Sequence, residues 1–203
     1  MDTANSETSK RGWSVIQRRA NGNINFERGW NDYVHGFGSL AGEYWVGLEN
    51  IYYLTLQNEV LHDRTVYYKF PQMRIDLEDW DGIKAFVEYE KYAILPQESD
   101  YRIYAIYRPH GPAVLGRNPS PLSPVEFSTF DADNDQSSTN LARKYRSGWW
   151  FHLFPLGSLN GPYPKIGGKM SYNNIYWVYW ERINPNNTAF KHITMKLQTS
   201  LDG

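Results

Sequence analysis

The sequence contains no cysteine, which excludes disulfides, thiolate metal ligands and a cysteine nucleophile. It also lacks any run of about twenty apolar residues, so no segment is typical of a membrane-spanning helix. The first five residues, Met1-Asp2-Thr3-Ala4-Asn5, are too polar for the apolar centre of a secretory signal. The absence of cysteine favours a reducing compartment but does not fix where the protein works.

Neither sign of charge is in excess, because 21 basic residues stand against 22 acidic ones. A net charge of -1 gives no global field that would draw the protein onto nucleic acid or an anionic membrane. Aromatic residues are abundant, with 8 Trp and 16 Tyr, and we expect them to carry much of the packing. A length of 203 residues predicts one compact domain with a sizeable core.

Catalytic motifs are missing as well: there is no Gly-x-Ser-x-Gly elbow, His-Glu-x-x-His pair, P-loop or Rossmann glycine pattern. Glu88 and Glu90 would share a strand face and could serve a glycosidase, but a solvated strand face explains them more simply. We therefore expect no enzyme. Five scattered histidines, none at a helical metal spacing from another, are predicted to be structural or exposed: His35, His62, His110, His152 and His192.

Periodicity predicts an α+β domain over 12–203, preceded by a polar, solvated tail over 1–11. Proline and glycine dominate 108–126 and predict a long loop. We expect a central sheet region over 12–107 and a loop-rich region over 108–203. The predicted strands are 13–19, 66–70, 73–77, 85–92, 101–107, 175–180 and 190–197, and the predicted helices lie within 26–37 and 43–53.

Acidic side chains alternate in the segment Asp131-Ala132-Asp133-Asn134-Asp135, which is the one stretch with metal-site spacing. Calcium binds six to eight hard oxygen ligands, and a curled loop of carboxylates, carbonyls and water supplies them. The segment is not an EF-hand, because that loop would require a glycine and a glutamate where Gln136 and Ala142 stand. From spacing alone, a calcium loop and an Asx-rich surface turn are equally good interpretations.

Aromatic residues cluster on both sides of Gly148 and could wall a ligand site for sugars or methyl groups. Packing in the core is the alternative, and we favour it for at least half of them. The cluster comprises Tyr145, Trp149, Trp150, Phe151 and Phe154.

Several segments form an ordered set that covers nearly the whole chain from Gly12 onward. The acidic loop is one of them, as Phe127-Ser128-Thr129-x-Asp131-x-Asp133-Asn134-Asp135. The others are Gly12-Trp13-Ser14-Val15-Ile16-Gln17-Arg18-Arg19, Asn25-Phe26-x-Arg28-x-Trp30-x-x-Tyr33, Gly36-Phe37-Gly38, Gly42-Glu43-Tyr44-Trp45-Val46-Gly47-Leu48, Leu54-Thr55, Leu77-Glu78-Asp79-Trp80-Asp81-Gly82, Gly148-Trp149-Trp150 and Leu159-Asn160-Gly161. In this order they resemble the fibrinogen C-terminal domain family.

This resemblance implies an α+β fold with a central five-stranded antiparallel sheet, a loop-rich ligand-binding region and no catalysis. It also implies a Ca²⁺ site in which the carboxylates of Asp133 and Asp135 and the main-chain carbonyls of Ser137 and Thr139 are ligands. Asp131 would then lie in the second shell of the ion.

The sequence departs from the family at its disulfides and at its ligand pockets. Leu141 and Phe154 stand where the resemblance implies the C-terminal cysteine pair. Pro155 replaces a pocket histidine and cannot donate its hydrogen bond. A rebuilt ligand pocket is expected from Tyr145, Trp149, Phe154, Pro155 and Tyr172. An insertion between Thr55 and Met73 also separates the chain from the family pattern.

We therefore expect a secreted, extracellular calcium-binding module that docks a protein partner, namely a receptor, a signalling protein or a matrix ligand. The alternative is an innate-immune lectin for acetylated glycans. Met1-Asp2-Thr3 resembles the end of a family stretch that contains cysteine, which suggests a fragment of a longer protein that forms oligomers through segments absent from this chain. The triplet Asn186-Asn187-Thr188 matches the acceptor pattern for N-linked glycosylation at Asn186.

Overall fold

A computed structural model describes residues 12–60, 66–113, 124–153, 156–178 and 180–198. The predicted tail over 1–11 and the middle of the proline-rich loop lie outside the described residues. The described part contains eleven strands and three α-helices. They are β1 (Ser14–Arg19), α1 (Trp30–His35), β2 (Phe37–Gly38), β3 (Tyr44–Trp45), α2 (Leu48–Thr55), β4 (Gln57–Val60), β5 (Val66–Lys69), β6 (Gln72–Asp79), β7 (Lys84–Ile94), β8 (Ile103–His110), α3 (Leu141–Tyr145), β9 (Gly157–Ser158), β10 (Tyr176–Trp177) and β11 (Phe190–Gln198).

One antiparallel sheet forms the centre of the fold, in the strand order β2-β3-β1-β11-β6-β7-β8. Its five long strands match the five implied by the family resemblance, and the two-residue strands β2 and β3 extend the sheet at one edge. The last strand, β11, comes from the part predicted to be loop-rich, yet it lies between β1 and β6. The fold is α+β, as predicted.

Alternating side chains of β6 show why this sheet has a buried face. Met73, Ile75 and Leu77 are buried, whereas Arg74 and Asp76 between them are only half-buried. Successive side chains of a strand point to opposite faces, so this alternation places one face against the core and the other toward solvent. Each fully buried aliphatic side chain contributes about 1.5–3 kcal/mol by removal from water.

Both predicted helices exist, but the structure corrects their bounds. The first spans only Trp30–His35, and Gly36 ends it with a φ of 93°. The second was predicted to begin at Glu43, which is wrong: it begins at Leu48, after Gly47 with a φ of 103°. Tyr44–Trp45 pairs with β1 and β2 instead, because strand pairing outweighs the helical spacing of the apolar residues in that segment.

The strand predicted over 175–180 is reduced to Tyr176–Trp177, which pairs with β9. A short 3-10 helix follows at Trp180–Arg182. The aromatic side chains here are fixed by individual hydrogen bonds: Trp177 Nε1 donates to Ala113 O at 3.2 Å. The strand-like composition of 175–180 therefore results from buried indole rings in a loop and not from an extended strand.

Among the residues described, no helix is both long enough and apolar enough to cross a membrane.

Candidate functional site

Asp135, the last residue of the acidic loop, connects that loop to α3 by hydrogen bonds. Its Oδ1 accepts from Ser137 N at 2.8 Å, and its Oδ2 accepts from Leu141 N, also at 2.8 Å. Leu141 is the first residue of α3, and Asn140 caps the helix by accepting from Arg143 N at 2.7 Å. The position of α3 is therefore set by the conformation of the loop before it.

The two predicted carboxylate ligands lie close together. Burial raises the pKa of Asp135, and the neighbouring Asp133 carboxylate raises it further, while the two backbone N–H donors oppose this shift. No Lys, Arg or His side chain in the described part of the chain forms an ion pair with Asp133 or Asp135. Two adjacent carboxylates without a cationic partner fit the charge of a divalent cation.

Main-chain oxygens are also available in the loop. Within the described residues, no donor is hydrogen-bonded to the carbonyl oxygens of Ser137 or Thr139. The part of the chain that the structure describes contains no cluster of three or more His, Cys, Asp or Glu side chains that could hold a metal. A cation here would need two carboxylates, carbonyls and water, which is an all-oxygen donor set that suits Ca²⁺.

Asp131, expected in the second shell of the ion, accepts two hydrogen bonds within the described residues. Its Oδ1 accepts from Trp30 N at 2.9 Å and from Thr129 Oγ1 at 2.7 Å. A Cβ on Gly29 would lie 2.7 Å from Asp131 Oδ2, so a larger residue there would require the Asp131 side chain to shift. Asp131 therefore links the loop to the first turn of α1.

Asn134, which the sequence reasoning did not single out, anchors the middle of the loop. Its backbone N donates to Ser128 Oγ at 3.0 Å, and its Nδ2 donates to Phe127 O at 2.9 Å. Ser128 in turn forms a β-bridge with Trp149. The alternation of Asx residues was the available signal, since such side chains bond to nearby backbone groups.

Three tyrosines form a partly exposed surface at the far end of α3, and we call Tyr145, Tyr172 and Tyr176 the tyrosine surface. The ring centroids of Tyr145 and Tyr172 are 5.9 Å apart, and those of Tyr172 and Tyr176 are 4.4 Å apart. Tyr172 is 49% exposed, and Lys144 Nζ lies 5.2 Å from the Tyr145 ring centroid. The sequence predicted Tyr145 and Tyr172 at a site but missed Tyr176.

Trp149 must be removed from the predicted ligand pocket. It is fully buried and packs against Trp150 with ring centroids 5.5 Å apart. A Cβ at Gly148 would lie 2.4 Å from Tyr33, so the backbone here is pressed into the core. Because a buried indole cannot wall a surface pocket, Trp149 supports the fold. Phe154 and Pro155, also predicted for the pocket, lie outside the described residues.

A groove of about 420 Å³ on the solvent-facing side of the sheet is a rival site. Its charges are already paired: Arg74 Nη1 donates to Glu88 Oε1 at 2.5 Å, and Lys196 Nζ lies 2.6 Å from Asp76 Oδ2. Glu88 also contacts His110 Nε2 at 2.8 Å. This carboxylate therefore belongs to a network of side chains across the strands, whereas a solvated strand face was the interpretation preferred from sequence over a glycosidase pair.

Comparison of the sequence with known proteins identifies the family that this chain matches. Residues 3–200 match the family described as fibrinogen beta and gamma chains, C-terminal globular domain. Angiopoietin-1 of Rattus norvegicus is 35% identical over 180 residues, or 87% of this chain and 33% of the relative. Angiopoietin-related protein 2 of Mus musculus is 36% identical over 189 residues, or 92% and 35%. The chain spans about a third of the length of these curated relatives.

Solved structures agree with the sequence comparisons. The fibrinogen-like globe domain of human ANGPTL2 has a TM-score of 0.78 and 32% identity, covering 95% of this chain and 82% of that one. Lamprey fibrin D-dimer, solved with the peptide ligand Gly-His-Arg-Pro-amide, has a TM-score of 0.74 and 30% identity, covering 95% and 64%. The chain belongs to the fibrinogen C-terminal domain family.

Proposed function

We propose that this chain is an extracellular recognition module that docks a protein partner on its tyrosine surface, with Ca²⁺ bound in the preceding loop. The observation that carries the proposal is the direct connection between the two sites. Asp135 bonds to the first residue of α3, and Tyr145 is the last residue of that five-residue helix. An ion that orders the loop would thereby order the surface.

The ion would be held by the carboxylates of Asp133 and Asp135 and by the carbonyl oxygens of Ser137 and Thr139. Each carboxylate oxygen has two lone pairs, so Asp135 can accept its backbone N–H bonds and still bind a cation. When bound, calcium supplies positive charge that relieves the repulsion between the two carboxylates. Two carboxylates predict a weak site of the extracellular type, with a Kd of about 10⁻⁴ M or higher.

The tyrosine surface supports a binding role because tyrosine offers a large apolar ring together with a polar hydroxyl group. Such residues are enriched among those that dominate protein interfaces. The lamprey fibrin D-dimer was solved in complex with a peptide ligand, which supports a polypeptide partner for this chain. The chain also lacks the catalytic motifs sought in its sequence, so we propose recognition rather than catalysis.

The compartment and the assembly are part of the same proposal. A site that needs calcium near 10⁻⁴ M fits the extracellular medium, where such affinities are used. The matched relatives are about three times as long as this chain. We propose that additional segments, outside the part given by this chain, would make the protein oligomeric. Secretion and a signalling or matrix partner complete the proposal.

Acetylated glycans are the second candidate ligand. Exposed aromatic rings can stack against sugars as well as against proteins, and Tyr172 and Tyr176 offer two rings at 4.4 Å. The buried Trp149 argues against the glycan pocket expected from sequence, because it removes one of the five predicted walls. A protein partner is therefore the preferred ligand.

Replacement of Tyr172 by Ala tests the docking surface. We expect Tyr172→Ala to weaken binding to the cognate protein by at least about tenfold, because truncating a central interface tyrosine costs about 2 kcal/mol. The measurement is surface plasmon resonance against a panel of angiopoietin-type receptor ectodomains and an acetylated-glycan array, each with and without millimolar calcium. Tyr104→Ala is the matched control, since Tyr104 is likewise exposed, at 60%, but lies on β8.

Calcium-dependent protein binding that Tyr172→Ala weakens and Tyr104→Ala preserves would support the proposal. Binding to the glycan array alone, with free acetylated sugar as a competitor, would replace it by the lectin function. Protein binding that both variants preserve would move the interface away from the tyrosine surface.

A further inference from the structure

A tight turn presents Asn186 to solvent beside β11. Asn187 N donates to Asn184 O at 2.8 Å, which places Pro185 and Asn186 at the two central positions of the turn. Both are exposed. Asn187 follows with a φ of 49°, and Asn186 N donates to Asn184 Oδ1 at 3.0 Å. The turn is fixed by its own bonds, and the Asn186 side chain is accessible.

The sequence around this turn is an acceptor pattern for N-linked sugar. Asn186-Asn187-Thr188 has the required hydroxyl residue at the third position and no proline at the second. The other Asn-x-Ser triplet is Asn118-Pro119-Ser120, which its central proline disqualifies. The whole sequence therefore offers one acceptor asparagine.

The Asp81 carboxylate organises both essential residues of the pattern. Its Oδ2 accepts from Asn186 Nδ2 at 3.1 Å and from Thr188 Oγ1 at 2.7 Å, and Asn184 Nδ2 donates to it at 2.9 Å. These bonds lower the pKa of Asp81, so the carboxylate is charged at neutral pH. Asn186 Nδ2 carries two hydrogens, and only one is needed for the bond to Asp81.

We infer that Asn186 carries an N-linked oligosaccharide, with Asp81 accepting the hydrogen that remains on the linking amide. In the transfer, Asn186 Nδ2 forms a bond to the anomeric carbon of a lipid-linked oligosaccharide diphosphate. The bond from that carbon to the diphosphate oxygen breaks, the lipid diphosphate leaves, and one amide proton is released. The inference rests on the proposed extracellular role, since this donor belongs to the secretory route.

The test is intact-mass measurement of the chain secreted from a eukaryotic cell line behind a supplied signal peptide. We expect one heavier species that a peptide N-glycosidase converts to the polypeptide mass, with Asp in place of Asn186. Asn186→Gln should abolish the added mass. Asn187→Gly is the matched control, because it keeps the acceptor pattern and suits the positive φ, and it should stay fully modified.

Thr188→Ser keeps a hydroxyl group that can donate to Asp81, so this variant should also carry the sugar. It provides a second comparison if Asn186→Gln is secreted poorly. Secreted wild-type chain that is folded, as judged by a cooperative thermal transition, and that has only the polypeptide mass would overturn the inference. Because the signal peptide is supplied, that result would leave the calcium and docking proposals intact. Their failure would likewise leave the sugar measurement unaffected.

Discussion

Arg19→Ala is expected to destabilise the domain by about 3–5 kcal/mol, which is typical of breaking a buried ion pair. Arg19 is only 1% exposed, and its guanidinium donates to Leu159 O at 3.1 Å and to Gly161 O at 2.8 Å. Its charge also lies 3.8 Å from the Phe26 ring centroid, and its Nε lies 3.8 Å from Glu43 Oε1. Alanine would leave the buried Gly161 carbonyl without this donor, Leu159 O with only Gln17 Nε2 as a donor, and Glu43 without its cation.

The protonation states of this pair reinforce the expectation. Burial lowers the pKa of Arg19 to about 10, with Glu43 opposing the shift, so the guanidinium is charged at neutral pH. Burial alone would raise the pKa of Glu43, but backbone N–H donors, including those of Ala20 and Ile24, lower it overall. Stability from Glu43 is therefore present above its unfolded pKa, near 4.3, and is lost as the pH falls through its lower folded pKa.

Urea denaturation at pH 7 measures the effect, with Arg18→Ala as the matched control. Arg18 is the preceding residue of β1 and is half-buried, and its Nη1 donates to Leu40 O at 3.1 Å on the surface. We expect the control to cost under about 1 kcal/mol. Arg19→Lys should give an intermediate loss if Arg19→Ala does not fold, because lysine keeps the charge but lacks the fork of donors. Equal, small losses at both positions would contradict the role assigned to Arg19.

Asp79→Ala is expected to cost at least about 3 kcal/mol, because each buried donor left unbonded costs about 1–3 kcal/mol. Asp79 is fully buried at the end of β6. Its Oδ1 accepts from the backbone N atoms of Asp81 and Ile83, at 3.0 and 2.9 Å. Its Oδ2 accepts from Trp180 Nε1 at 3.1 Å and Asn184 Nδ2 at 2.7 Å. One carboxylate thus joins the β6–β7 turn to the segment before β11.

The same denaturation experiment on Asp76→Ala gives the comparison for this carboxylate. Asp76 lies on β6 but faces solvent, where Arg74 Nε donates to it at 2.7 Å. Surface ion pairs contribute about 0–1 kcal/mol, so the loss should be small. Asp79→Asn, which keeps one acceptor oxygen, should lose less than Asp79→Ala. If Asp79→Ala were as stable as Asp76→Ala, the four hydrogen bonds to the Asp79 carboxylate would not be stabilising the contact between the β6–β7 turn and the segment before β11.

Local pattern predicted the long strands well because each strand has one buried face. In β6 and β11 the apolar residues alternate, and pairs such as Ile193 with Leu77 and Leu197 with Met73 lie opposite each other in the sheet. Alternation is a property of the segment itself, so the sequence displays it directly. A segment does not show which strands it will pair with, so the central position of β11 in the sheet could not be inferred from its own residues.

The predicted site was harder to locate because its residues depend on distant contacts. Trp149 and Tyr145 are both aromatic and only four residues apart, yet Trp149 is fully buried whereas Tyr145 is partly exposed. Asp131 was expected in the second shell of the ion, and its Oδ1 accepts from Trp30 N, about a hundred residues earlier in the chain. Burial and long-range hydrogen bonds decide these roles, and neither can be inferred from the spacing of residues along the chain.

Thermal unfolding with and without 1 mM calcium tests the central claim most directly, applied to the wild-type chain, Asp133→Ala and the control Asp32→Ala. Asp32 is an exposed carboxylate on α1. For a Kd of about 10⁻⁴ M, calcium at ten times that concentration stabilises the fold by about 1.4 kcal/mol. This corresponds to an increase in Tm of about 3–6 °C for a domain of this size.

The account predicts that calcium raises the Tm of the wild-type chain and of Asp32→Ala, but not that of Asp133→Ala. Hydrogen exchange of the Leu141 amide should slow with calcium in the same two proteins, because that N–H donates to Asp135. Equal Tm values with and without calcium in all three proteins, at concentrations up to 10 mM, would contradict a calcium-ordered loop.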